Sequence, residues 1–244
     1  IMIPMLLILP VPGKSIAEKS RTGGDMSTAE QAASRDMALN AIPPSKYLES
    51  RSGFMQKGQR VLLVADGEGR NSVWCAEMGL IVDAFDASDT AVEKARQLAD
   101  ARGVSVMYNV SCCETWNWQP EQYDAVIIIN ANFATPAMRA ELFDNCMHTL
   151  KPGGILLLKG YGIKQLAVLM RENFTQEQLD AFMPEGLRLE DFTPSTILNG
   201  VAVGEHYYSE DALREAFSGL QILEVVDYKE PARKKDGAIR MEKL

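Results

Sequence analysis

The sequence predicts an α/β protein built on a doubly wound, mostly parallel sheet with helices on both faces and a C-terminal antiparallel hairpin. Three observations predict it. Val61-Leu-Leu-Val64 runs into the turn Ala65-Asp-Gly-Glu-Gly-Arg-Asn71, and a second strand, Ile81-Val-Asp-Ala-Phe-Asp86, ends on a carboxylate. The apolar runs Tyr123–Asn130 and Ile155–Lys159 have the continuous hydrophobicity of strands buried on both faces. Between them, Met138, Leu142, Phe143, Cys146, Met147 and Leu150 recur at helical spacing over 137–150. A chain of 244 residues with 46% hydrophobic composition can bury such a core.

The first 40 residues read as an arm ahead of a catalytic domain over 41–244. Ile1–Pro12 is apolar but short, contains Pro4, Pro10 and Pro12, and has no basic segment before it, so it fits neither a transmembrane helix nor a signal peptide. Residues before Met26 read as a translated upstream extension or a fragment edge, or alternatively as an arm that packs on a partner subunit. Ser27–Asn40 suits a helix, which Ile42-Pro-Pro-Ser45 breaks.

The turn after the first strand indicates a ligand. Gly67 and Gly69 let backbone approach a small molecule closely, and the following helix opens with free N–H groups. Asp86, about 20 residues on, is placed to accept hydrogen bonds from ribose hydroxyls. The implied ligand carries a nucleoside. Ser72 stands where a dinucleotide fingerprint has its third glycine, and Glu68 puts negative charge where a diphosphate would lie. A sulfonium and an ammonium tolerate that charge, so S-adenosyl-L-methionine fits better than NAD.

Lys151-Pro-Gly-Gly154 stops the long helix ahead of the strand Ile155–Lys159. Leu166, Leu169, Met170 and Phe174, then Leu179, Phe182 and Met183, have helical spacing, so 162–206 reads either as a substrate lid or as a packing helix on the flank. His206 beside Glu205 is either a general base or structural, and His148 has no evident role. Leu220–Tyr228 and Gly237–Leu244 alternate across a charged turn, as a hairpin does.

Composition narrows the partners. Thirty-three acids against twenty-five bases give a net charge of −8, which repels a nucleic-acid backbone. Cys75, Cys112, Cys113 and Cys146 show neither CxxC nor Cys/His metal spacing, so no metal is expected and a reducing cytoplasm is the simpler setting. Cys112-Cys113 either line the cofactor site or serve as small hydrophobes at a strand end.

VLLVADGEGRNSVW, VDAFDAS, the run around YDAVIII, LKPGGILLLKGY, and HYYSEDALREAF followed by GLQILE resemble the class I S-adenosylmethionine-dependent methyltransferases. The nearest branch in character is the small-molecule one that includes tellurite- and thiopurine-methyltransferase-like proteins. The resemblance covers roughly residues 58–226 and implies a Rossmann-like, seven-stranded sheet. It implies that Ala65, Asp66, Gly67, Gly69, Arg70 and Asn71 wrap the amino-acid end of the cofactor. Asp86 and Ala87 would meet its ribose, Cys112, Cys113 and Glu114 its adenine, and Asn130 its methyl-bearing side. Tyr47, Ala131 and Tyr161 would face the acceptor.

The chain departs from the family at Leu63 and Ala65, which replace an acid and a glycine, and at Cys112, which replaces an acid. Asp66 is then the carboxylate left for the methionine ammonium, and adenine recognition leans on Cys113, Glu114 or packing against Trp116. The implied reaction is in-line displacement of a methyl group from sulfonium by a heteroatom. Holding donor and acceptor aligned contributes several kcal/mol without a dedicated base, so no catalytic residue is assigned. A thiol or chalcogen oxyanion would need least activation. Two rival readings are a protein that binds the cofactor or its demethylated product without turnover, and a nicotinamide-dependent oxidoreductase. Monomer and homodimer are both open.

Overall fold

The computed structural model describes residues 43–184, 186–193, 197–198, 201–202 and 207–225. The N-terminal arm with Met26, the Glu205-His206 pair and the greater part of the C-terminal hairpin lie outside these residues.

Five strands form one sheet: β1 (Arg60–Val64), β2 (Ile81–Asp86), β3 (Met107–Val110), β4 (Tyr123–Ile129) and β5 (Leu150–Lys159). Their order is β3-β2-β1-β4-β5, and every neighbouring pair is parallel. Side chains of a strand alternate between faces, and here they separate into two cores. Leu62, Val64, Phe85, Val126 and Ile128 lie in one with Leu142, Phe143 and Cys146. Val61, Leu63, Val82, Ala84, Ile127 and Leu157 lie in the other with Leu48 and Cys75. Helices therefore cover both faces.

The helices are α1 (Lys46–Ser50), α2 (Arg70–Glu77), α3 (Asp89–Ala101), α4 (Pro136–Thr149), α5 (Ile163–Asn173), α6 (Gln176–Phe182) and α7 (Glu210–Ala216). Their starts follow local chemistry. Ser88, Thr135 and Ser209 each accept a backbone N–H with the side-chain oxygen, Pro136 opens α4, and Thr175 with Gln178 closes a capping box on α6. α3 was not among the expected helices.

Three expectations are refined. Lys151-Pro-Gly-Gly154 ends α4 as expected, but β5 already begins at Leu150 and carries these residues as a bulge, because Tyr123 pairs with Leu150 and Ala125 with Ile155. The span 162–206 does hold two helices, which bury Leu166, Ala167, Met170, Leu179, Leu189 and Phe192 together. It also holds an unforeseen two-stranded antiparallel pair, β6 (Ile197–Leu198) with β7 (Val201–Ala202). Seven strands in one sheet are not among the described residues, and 221–225 lie in no strand. Ile222 packs on the core while Leu223 stays 64% exposed, so the alternation is present there without a described partner.

Candidate functional site

The strand order reverses direction between β1 and β4, so the loops after these strands part and leave a crevice at the carboxyl edge of the sheet. The loop after β1 supplies one wall. Ala65 (φ 50°), Gly67 (φ 65°) and Gly69 (φ 86°) all take the left-handed conformation that bends it sharply. Asp66 N–H donates to the Phe85 carbonyl (3.1 Å), which ties the bend to β2. Gly67 N–H and Ser88 N–H donate to separate oxygens of the half-buried Asp86 carboxylate, each at 2.9 Å. Each oxygen keeps a further acceptor position for a hydroxyl.

The two glycines serve different ends. A Cβ on Gly67 would meet nothing within 4 Å, whereas one on Gly69 would lie 2.7 Å from Ala95 Cβ, 2.8 Å from Ala95 Cα and 2.8 Å from the Tyr108 hydroxyl. Gly69 lets α3 pack against the turn. Gly69→Ala is expected to lower the unfolding free energy by about 2–3 kcal/mol, because helix backbone cannot yield and the φ is unfavourable. A urea midpoint within error of the parent would contradict this.

Asp66 is the unusual group of the site. Both its carboxylate oxygens are buried and make no well-formed hydrogen bond, although the Ser72 hydroxyl and N–H lie close enough to stabilise the charge. Burial raises the carboxyl to about 7, and Ser72 and Arg70 nearby pull it back only in part. Ser72, in the third glycine position, instead donates to the Gly69 carbonyl (3.1 Å) and shares a hydrogen bond with the Tyr108 hydroxyl (2.7 Å). Asn130 (φ 60°), after β4, donates its N–H to the Lys159 carbonyl (2.7 Å), while its side-chain Oδ1 is also buried and unpartnered. Buried acceptors without donors are costly, so a ligand that brings N–H donors fits them. An ammonium group is such a donor.

Asn71 accepts from Ser45 N–H (2.9 Å), and this contact hooks the start of α1 to α2 beside the turn. Arg70 is half-buried and Ala87 exposed. Glu68, whose charge counted against a diphosphate in the sequence reading, is exposed and paired with Lys94 (2.5 Å). That argument against NAD therefore loses weight, since the charge is met at the surface.

The predicted adenine residues follow β3, which ends at Val110, two residues before Cys112. Cys112 opens a turn, its carbonyl accepting from Thr115 N–H (3.1 Å) and Trp116 N–H (2.9 Å). Cys113 is buried, and burial first, then Glu114, Cys112 and Asp86, push its thiol up to about 12, so it is no nucleophile. Glu114 is fully exposed. Trp116 stacks on Phe85 (4.6 Å between centroids) and Trp118 meets the same ring edge-on (5.9 Å), which commits one face of Trp116 to the core.

Of the residues expected to face the acceptor, Tyr47 is half-buried, with the Arg51 guanidinium 5.4 Å from its ring centroid and Arg51 paired to Glu224. Burial raises its hydroxyl pKa, opposed by Arg51. Ala131 is buried and Tyr161 exposed. The sequence reading did not single out Asn132 and Tyr208, which tie together the loops after β4 and β5. The available signals were a polar residue following a buried strand end, for Asn132, and the run HYYSED, for Tyr208. His148 gives its carbonyl to Glu121 N–H (3.2 Å) near the start of β4, at the opposite edge of the sheet. Among the described residues no group of three or more His, Cys, Asp and Glu is arranged to hold a metal ion, and no helix is long and apolar enough to cross a membrane.

Known proteins resemble this chain in sequence and in fold. A family model described as a methyltransferase domain matches residues 61–154. A ubiquinone biosynthesis O-methyltransferase from Chelativorans sp. (strain BNC1) is 34% identical over 103 residues, 42% of this chain and 40% of that protein. One from Xylella fastidiosa (strain 9a5c) is 31% identical over 151 residues, 61% of this chain and 60% of that protein. The chain thus spans between 40% and 60% of the length of these curated relatives. A solved structure described as the conversion of a disulfide bond into a thioacetal group during echinomycin biosynthesis shares 23% identity and a TM-score of 0.53, over 73% of this chain and 68% of that one. The likeness to it is one of fold.

Proposed function

We propose that this chain, whose residues 61–154 carry a class I S-adenosylmethionine-dependent methyltransferase domain, transfers a methyl group to a small-molecule acceptor. The observation that carries the reading is the pair of buried acceptors without a well-formed hydrogen bond, Asp66 and Asn130, on the two loops that flank the crevice. Asp66 and Asn130 would receive the ammonium, Gly67 would leave the backbone open beside it, and Asp86 would accept from the ribose. The cofactor supplies an electrophilic methyl group on sulfonium. The chain's part is to hold and orient both reactants and to keep water out, and alignment of that kind is worth several kcal/mol.

The finer reading concerns the acceptor. The curated relatives are named for O-methylation, which supports an oxygen nucleophile. A thiol or chalcogen oxyanion needs less activation and is the second candidate. The span 162–206, with its own small core, is proposed as the lid that selects between them.

Titration calorimetry with S-adenosylmethionine, S-adenosylhomocysteine and NADH tests the cofactor. Both sulfur nucleosides are expected to bind and NADH is not; tight NADH binding with no response to the other two would reverse the assignment. A transfer screen over phenols, thiols, selenite and tellurite then separates an enzyme from a protein that only binds.

A further inference from the structure

We infer that Ser72 and Tyr108 are positioning residues for Asp66, forming a hydrogen-bonded relay that runs from β3 through α2 and holds this carboxylate ready for the cofactor's ammonium group; this deepens the methyl-transfer reading above and rests on it. The relay is made of short contacts. Ser72 is fully buried, with its Oγ 2.7 Å from the Tyr108 hydroxyl and 3.1 Å from the Gly69 carbonyl. Gly69 has no side chain to block that approach, for a Cβ there would lie 2.8 Å from the same phenol oxygen. At its other end Ser72 meets Asp66 with two groups, its hydroxyl and its backbone N–H.

The direction of the protons follows from what surrounds them. Tyr108 packs among Val73, Leu98, Ala99 and Val104, whose side chains accept nothing, so its O–H is satisfied by donating to Ser72 Oγ. Burial first, and then Asp66, keep that phenol protonated by raising its pKa. Ser72 therefore accepts from Tyr108 and has one proton to give. The Gly69 carbonyl does not depend on that proton, since Val73 N–H already donates there at 2.9 Å. The Ser72 N–H lies in the first turn of α2, where N–H groups have no carbonyl a turn earlier to receive them. Both donors are thus available to Asp66.

Their effect has a definite sign. Donors to a carboxylate favour its ionised form, and a hydroxyl that itself accepts a hydrogen bond donates more strongly, so Tyr108 acts on Asp66 through Ser72. Of the charged and titratable groups facing Asp66, Arg70 on α2 favours ionisation and Asp86 at the end of β2 opposes it, while the buried Cys75 on α2 and Tyr108 on β3 stay neutral. Ser72 is the strongest of the influences that offset burial. A carboxylate oxygen has room for more than one donor, so the ammonium and Ser72 can share it. Serine in the third glycine position thus has a use that glycine lacks, because it brings a side-chain proton.

The test follows the Asp66 carboxyl by carbon NMR in the ligand-free full chain, the resonance being identified by its loss in Asp66→Asn. Ser72→Ala is expected to raise its titration midpoint by about one pH unit, and Tyr108→Phe by roughly half as much. Affinity for S-adenosylhomocysteine, by calorimetry, should fall about fivefold at pH 7 in Ser72→Ala, where fewer carboxyls are ionised, and stay within about twofold of the parent at pH 9. A serine that only packed the turn would lower affinity alike at both pH values, and that result would overturn the relay. So would an unmoved midpoint in both variants, with the methyl-transfer reading left standing. Tyr108→Phe keeps the ring and decides the matter if Ser72→Ala does not fold. Failure of the parent to bind S-adenosylhomocysteine at either pH removes the reading, and with it the purpose of the relay; a midpoint that still moves would mark that failure as the reading's own.

Discussion

Asp66→Asn is expected to weaken S-adenosylmethionine binding about 100-fold, roughly 3 kcal/mol, while making the ligand-free protein more stable at pH 8. The two effects share one cause. A carboxylate buried with too few donors is destabilising when charged and valuable when an ammonium arrives. Burial lifts the Asp66 carboxyl from its ordinary 3.8 to about 7, so the folded state holds that proton more tightly than the unfolded chain does. The sign follows from linkage. Stability from this group is fully present below the unfolded value and is lost as pH rises through about 7, by a few kcal/mol at most. Asparagine does not ionise, so the variant and parent should converge in stability near pH 4, part progressively as pH rises towards about 7, and differ by a constant amount above it. Binding should show the opposite trend. Because the ammonium needs the ionised carboxylate, affinity should fall as pH drops below about 7, with up to one proton released per ligand bound. Calorimetry in buffers of different ionisation enthalpy measures that proton directly. Retention of parental affinity by Asp66→Asn would place the ammonium elsewhere.

That same residue shows how far the sequence alone could go. The turn around it was legible because its chemistry is local: Gly67 and Gly69 are needed where backbone enters the left-handed region, and Asp86 follows at nucleoside spacing. The central strands were legible because Val61–Val64 and Tyr123–Ile129 bury both faces, which leaves an unbroken apolar run. The remainder depended on partners far along the chain. The α3 helix is the exception: Ser88 caps it and Val92, Ala95, Leu98 and Ala99 recur at helical spacing, so its pattern was local and simply went unread. The strand β3 lies at the sheet edge with Met107 and Val110 exposed, so it shows no buried alternation. The stack of Trp116 on Phe85, the Asn132 clamp on Tyr161 and the seat of Tyr208 over Gly160 are tertiary pairings with no local pattern. Sequence therefore read the turn after β1 better than the other side of the crevice, because the former is one continuous segment and the latter is assembled from three loops.

The largest expected loss of stability lies away from the crevice, at Asp83 in the middle of β2. A charged residue in a parallel strand buried on both faces needs partners, and Asp83, only 3% exposed, has two. Its Oδ2 accepts from Arg60 Nε (2.9 Å) and pairs with Nη2 of the same guanidinium (2.7 Å), and it accepts from the Tyr123 hydroxyl (2.9 Å). Arg60 also lies 5.5 Å from the Tyr123 ring centroid, so β1, β2 and β4 converge on one carboxylate. Removing it leaves a fully buried phenol without an acceptor and a guanidinium without its counter-charge. Arg60 is 39% exposed and can recruit water, which lowers the cost below that of a wholly buried pair. Asp83→Ala should therefore lose about 3 kcal/mol, read as a lower urea midpoint at unchanged slope. Asp83→Asn keeps an acceptor for Tyr123 and should lose less. The variant that separates charge from hydrogen bonding is Tyr123→Phe in the Asp83→Ala background: it removes the orphaned hydroxyl and should recover part of the loss. No recovery would mean that Arg60, rather than the buried phenol, is what the carboxylate satisfies.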